Sequence, residues 1–163
     1  MITPNVFLTT IVRPALAQLG VPDANAEMLL MGTAAHESQL QATHQMGGGP
    51  ALGYFQMEPV THDDCWQNFI QFRPELKAKL MACIAPATAP NAQLMVTNSV
   101  YAAAMARVRY MRAPGAIPSD GLAIAQYWKD NYNTTMGAGT VAEFAADWNR
   151  LLKGIYAPIA LPA

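Results

Sequence analysis

A chain of 163 residues and 17.6 kDa can bury one sizeable core and is short for two, so a single domain over 1–163 is expected. Ten Lys and Arg against eleven Asp and Glu give a formal charge of −1 and a pI of about 6.3, which argues against a nucleic-acid partner; only Arg107, Arg109 and Arg112 gather on one segment. No uncharged apolar run approaches the roughly 18 residues of a membrane span. The N-terminal MITPNVFLTTIVRPALAQLG lacks a basic leader and is interrupted by Arg13 and Pro14, so synthesis in the cytoplasm without an export signal or a membrane partner is expected.

Helical periodicity dominates and strand alternation is nearly absent, which predicts a mainly α fold of about six or seven helices. The first covers 5–19, with Val6, Ile11, Ala15, Leu16 and Leu19 apolar and Gly20 as its stop. Asp23 caps a second, 23–43, which ends where MGGGPALG can no longer stay helical; a glycine-rich loop or small hairpin near 47–57 follows. Thr61 and Asp64 form a shortened capping box for a third helix reaching about 71.

Pro74 opens a fourth helix, 74–84, and APATAPN reads as a loop before an alanine-rich helix over 92–112. Ser119 or Asp120 caps the next, through IAQYWKDNY, and Thr140 with Glu143 forms a capping box for the last, 141–154. Most of Trp66, Phe69, Phe72, Trp128, Tyr132, Phe144 and Trp148 belong in the core, while one or two of Tyr54, Trp128 and Tyr132 could stack on a ligand. Cys65 and Cys83 are too few for a disulfide framework or a zinc ribbon, and are expected as free, partly buried thiols.

On a helix, Leu30, Thr33, Ala34, Glu37, Leu40 and Gln41 share one face, so Glu37 is turned toward the core. Burial disfavours its charged form and should raise its pKa, as a general acid near neutral pH requires. His36 and Glu37 begin an H-E-x-x-H pattern, but Leu40 stands where the second ligand belongs; with His44 and His62 in loops or at helix ends, no metal is expected.

Nineteen residues beyond Glu37 lies Gln56, in GYFQMEPVTH. That segment resembles G-[LM]-M-Q-[IL]-x-P-x-T of the lysozyme-like superfamily, specifically soluble lytic transglycosylases and goose-type lysozymes. AAHESQL resembles their E-S-x-[FL] helix end, and GLAIAQYWKDNYN their A-x-A-A-Y-N helix with Tyr127 at the tyrosine. The chain is most similar to small bacteriophage muralytic proteins.

The resemblance implies an α+β lysozyme-like fold that cleaves the β-1,4 bond between N-acetylmuramic acid and N-acetylglucosamine, with Glu37 as the acid and no cofactor. It places Gln56 and the backbone of Tyr54 and Phe55 along a sugar cleft, with Tyr127 across it near the Glu37 carboxyl. This chain departs from the family in three ways. The serine about nine residues after the acid is missing near Gln45, Met46 and Gly47. Trp128 replaces the asparagine after Tyr127, with Asn131 one turn later on the same face; and Glu58 stands at a usually apolar position.

The reaction stays open between a transglycosylase, whose single Glu acts as acid then base to leave 1,6-anhydro ends, and a hydrolase with a second carboxylate from Glu58, Asp63 or Asp64. A non-catalytic lysozyme-like virion or sugar-binding protein is a third possibility. The partners implied are peptidoglycan glycan strands and phage virion components, with delivery through a holin-type pore or inside a virion and no separate cell-wall-binding domain.

Overall fold

Thr3 accepts a hydrogen bond from the Val6 amide, and Pro4 suits the first helical position. The resulting α1 (Pro4–Phe7) runs through a π turn (Leu8–Val12) into α2 (Arg13–Leu19), which Gly20 stops at φ 72°. Pro14 lies just past that turn; having no amide hydrogen, it cannot donate to the carbonyl four residues back, and the ladder widens ahead of it. The computed structural model describes residues 2–41, 43–44, 48–133 and 137–163. Val6, expected to be apolar-facing, is instead 46% exposed.

Asp23 caps α3 (Ala24–Ser38) by accepting from the Ala26 amide at 2.9 Å, as expected. The helix is buried on most sides from Leu29 to Ala35, which marks it as the central element. It ends at Ser38 rather than 43, because Gln39 and Leu40 adopt left-handed φ of 54° and 56°. That reversal turns Leu40 into the core, where it is 2% exposed, so packing rather than the later glycines terminates the helix.

Leu52 and Met57 then exchange backbone hydrogen bonds of 3.0 and 3.1 Å around a turn at 53–56, and His44 bridges to Leu52. This is the small hairpin expected near 47–57. Ala42, Gln45, Met46 and Gly47 lie outside the described residues, and with them the expected serine-less stretch.

α4 (Pro59–Asn68) starts two residues before Thr61, so the shortened capping box is not formed. Pro59 sets the helical φ at the first position. Asp64 instead accepts from Arg112 at 2.6 Å and from Asn68 at 2.6 Å. A 3-10 turn (Ile70–Phe72) leads to α5 (Pro74–Ile84), whose bounds are those expected.

The helix expected over 92–112 is two pieces, α6 (Leu94–Thr97) and α7 (Ser99–Met111). Between them Asn98 is extended, caps the Tyr101 amide at 2.9 Å and donates to the Cys83 carbonyl at 3.0 Å, satisfying both sides of the break. Asp120 caps α8 (Gly121–Trp128), which widens into a second π turn (Lys129–Asn133). α9 (Val141–Leu151) carries the expected Thr140–Glu143 capping box.

The fold is mainly α, with no sheet among the described residues. α7, α8 and α9 pack around α3. At Gly32 an added Cβ would stand 2.5 Å from Phe144 Cζ and 2.9 Å from Trp148 Cε3, so the missing side chain is what lets α9 close onto α3. Cys65 is buried, Cys83 half-buried, and both are free thiols. Phe72 departs from the aromatic expectation at 69% exposed. No helix among the described residues is long and apolar enough to cross a membrane.

Candidate functional site

Glu37 occupies the last turn of α3, half-buried, and the indole N–H of Trp128 donates to its Oε1 at 3.0 Å. Burial raises the Glu37 pKa from the ordinary carboxylate range; the Trp128 hydrogen bond and the nearby His36 and Arg109 side chains pull the other way without reversing it. The sequence expectation of a raised acid on the buried face therefore agrees with its surroundings.

Each of those neighbours is itself held. His36 Nδ1 lies 2.9 Å from Asp147 Oδ2 on α9, and the imidazole meets the Trp128 ring edge-on at 4.5 Å. The backbone at Gly139 crosses so close that an added Cβ would be 2.8 Å from Trp128 and 3.0 Å from His36. Arg109 donates to the Tyr132 carbonyl and lies over the Tyr132 ring, 4.2 Å from its centroid. The widened turn after α8 offers that carbonyl, and the guanidinium takes it.

Tyr132 ties the two halves of the site together. Its hydroxyl donates to the Phe55 carbonyl at 2.8 Å, anchoring the 53–56 turn to the helix that carries Trp128. The turn is tightly specified. Gly53 has φ 71°, and a Cβ there would stand 2.7 Å from the Met95 carbonyl oxygen, so no other residue fits without displacement. Gln56 is also left-handed at φ 46°, and its side-chain amide donates to the Gly53 carbonyl at 2.9 Å.

The expected site residues are thus distributed unevenly. Tyr54 is half-buried with its ring edge-on to Phe7, while Phe55 is 1% exposed and contributes only backbone. Tyr127, expected across a cleft near the Glu37 carboxyl, instead stacks on Tyr110 at 5.8 Å and lines a cavity with Arg107. Asn131 spends its side-chain amide on the Tyr127 carbonyl at 2.9 Å and lines a cavity of about 340 Å³ with Thr61, Asp64, Arg109, Arg112 and Asp130.

Of the candidate second carboxylates, Glu58 is exposed at the start of α4 without a capping bond. Asp63 is paired with His62 at 2.8 Å and Asp64 with Arg112 at 2.6 Å. Trp128 is 0% and Tyr132 4% exposed, so of the three rings among which one or two are expected to stack on a ligand only Tyr54 retains surface. His62 is also no surface residue: it is 1% exposed, with Nε2 2.7 Å from the Tyr101 hydroxyl. Among the described residues no cluster of His, Cys, Asp and Glu could hold a metal ion.

Nothing in the sequence pairs Trp128 or Arg109 with Glu37, whereas Tyr132 carries a signal of its own. The contiguous pair Tyr132–Asn133, five residues past Tyr127, resembles the Y-N end of the A-x-A-A-Y-N motif. The charge of Glu37 acts on Tyr132 and Tyr110.

No family model matches the chain, and neither a curated protein nor a solved structure matches it. The site's meaning therefore rests on its own chemistry and on the motif resemblance.

Proposed function

We propose that the protein cleaves the glycan strands of bacterial peptidoglycan, at the β-1,4 bond between N-acetylmuramic acid and N-acetylglucosamine, with Glu37 as general acid and then base. The observation that carries this reading is a single carboxyl at a helix end, raised by burial and yet gripped by the Trp128 indole. Such a group holds its proton to higher pH than an ordinary carboxylate and keeps it aimed, as a general acid requires. The hairpin turn with Gln56, which follows Glu37 in the chain, repeats the family's order of motifs.

The same geometry favours a transglycosylase over a two-carboxylate hydrolase. No second carboxylate is among the groups that act on Glu37, since Asp63 and Asp64 are paired elsewhere and Glu58 is exposed. With one carboxyl, Glu37 gives its proton to the glycosidic oxygen as the bond to C1 breaks. The resulting carboxylate then takes the proton from the C6 hydroxyl of the muramyl residue as that oxygen closes on C1, which leaves a 1,6-anhydro end and returns Glu37 to its starting state.

Mass spectrometry of soluble fragments released from purified peptidoglycan tests this reading. Wild-type protein should release anhydromuramyl ends and the Glu37→Gln variant none. Reducing ends would overturn the transglycosylase assignment, and release undiminished by Glu37→Gln would overturn the choice of acid.

A further inference from the structure

Arg107 leaves α7 on a different course from Arg109 and Arg112. Its Nε is buried with no hydrogen-bond partner, and among the described residues the guanidinium forms no hydrogen bond or ion pair, although five N–H donors are normally satisfied when an arginine is drawn inward. It lines a cavity of about 460 Å³ together with Asp23, Asn25, Tyr110, Tyr127 and Ile117. Tyr127 supplies an aromatic wall held by its stack on Tyr110, and Asn25 is fixed by donating to the Ile117 carbonyl at 3.4 Å. Asp23 spends one carboxylate oxygen on the Ala26 amide and forms no ion pair with Arg107. The cavity thus presents one unpaired cation and one carboxylate in a space large enough for a small molecule.

We infer that this cavity is a binding site for a zwitterion the size of an amino acid or dipeptide, its carboxylate forked onto the Arg107 guanidinium and its ammonium turned toward Asp23. Planar pairing with a carboxylate is what a guanidinium does best, and Asp23 disfavours a dianion such as phosphate. The Arg107–Asp23 pair that would hold the zwitterion is distinct from the proposed catalytic carboxyl: Asp23 caps α3 and Glu37 lies in its last turn, fourteen residues on and roughly 21 Å along its axis. It therefore stands or falls independently of the reading of Glu37.

The test follows the Arg107 Nε–Hε cross-peak by NMR, assigned with Arg107→Lys, during titration with glycylglycine. A saturable shift is expected, weakened about ten-fold or more when the peptide carboxylate is amidated or its amine acetylated, and about ten-fold in Arg107→Lys, followed there through the side-chain amide peaks of Asn25 in the same cavity, because lysine keeps the charge and loses the fork. No shift with glycylglycine, equal shifts with the blocked peptides, or tighter binding of inorganic phosphate would each overturn the proposal. The blocked-peptide comparison uses wild-type protein alone, so it holds even if the variant folds poorly.

Discussion

At the scale of single residues, Glu37 is caught between burial, which favours its neutral form, and three neighbours that favour its charge. Because burial wins, the folded protein binds the Glu37 proton more tightly than the unfolded chain does. Its contribution to stability is then fully present below the ordinary glutamate value of about 4.3 and lost as pH rises through the higher folded value. Glu37→Gln, which can still accept from the Trp128 indole, should accordingly be more stable than wild type at pH near 7 and converge with it near pH 4, as read by chemical denaturation, while glycan cleavage falls by at least about 10²-fold. Trp128→Phe makes the complementary prediction. It removes the hydrogen bond that holds Glu37 down, so the basic limb of the pH–rate profile should move to higher pH. An unmoved limb would mean that the indole only packs there.

Among the elements, two tight turns frame the site and differ in how they tolerate strain. α3 ends on Gln39, a non-glycine in the left-handed region where helices usually place glycine. Gln39→Gly should therefore stabilise the protein by about 0.5–1 kcal/mol, measured as a rise in Tm. Gly53→Ala should do the reverse by about 2–4 kcal/mol, since the added methyl meets the Met95 carbonyl and the backbone stays left-handed. Local rules written in side chains were legible in the sequence: the Asp23 cap, the Thr140–Glu143 box, the Pro74 start and the face that carries Glu37. What escaped were features decided by distant contacts. Leu40 ends α3 by entering the core, Asn98 breaks the alanine-rich helix because Cys83 offers a carbonyl, and a π turn brings Tyr132 to the Phe55 carbonyl. The tyrosine motif was readable in two registers, and only packing separates them. Tyr127 turns to Arg107, while Tyr132 lies within the electrostatic reach of Glu37.

For the whole molecule, two groups pull stability in opposite directions between about pH 7 and 5, the half-buried Glu37 and the buried His62. His62 is held by a chain of bonds that runs in one direction. The Trp66 indole donates to the Tyr101 oxygen at 2.9 Å, Tyr101 and His62 Nε2 are 2.7 Å apart, and His62 Nδ1 faces Asp63 at 2.8 Å. With Nδ1–H donating to Asp63, Nε2 must accept the tyrosine proton, so the neutral ring satisfies every partner and a second proton would leave two donors facing each other. Burial lowers the His62 pKa, and the Asp63 contact only partly offsets this. A histidine depressed in the fold contributes stability that is complete above its unfolded value of about 6.5 and lost as pH falls through the folded one. Acidification from pH near 7 toward 5 thus removes the His62 contribution while restoring that of Glu37, and the wild-type profile is the shallower for it. Denaturation midpoints across that range should fall more steeply in Glu37→Gln than in wild type, because the compensating proton is gone. In His62→Gln, which costs about 1–3 kcal/mol at neutral pH through the unsatisfied Tyr101 network, stability should instead hold or rise as pH drops. Parallel profiles for wild type and Glu37→Gln would mean that Glu37 titrates as an ordinary surface carboxylate, and the proton on which the proposed cleavage depends would then be absent near neutral pH.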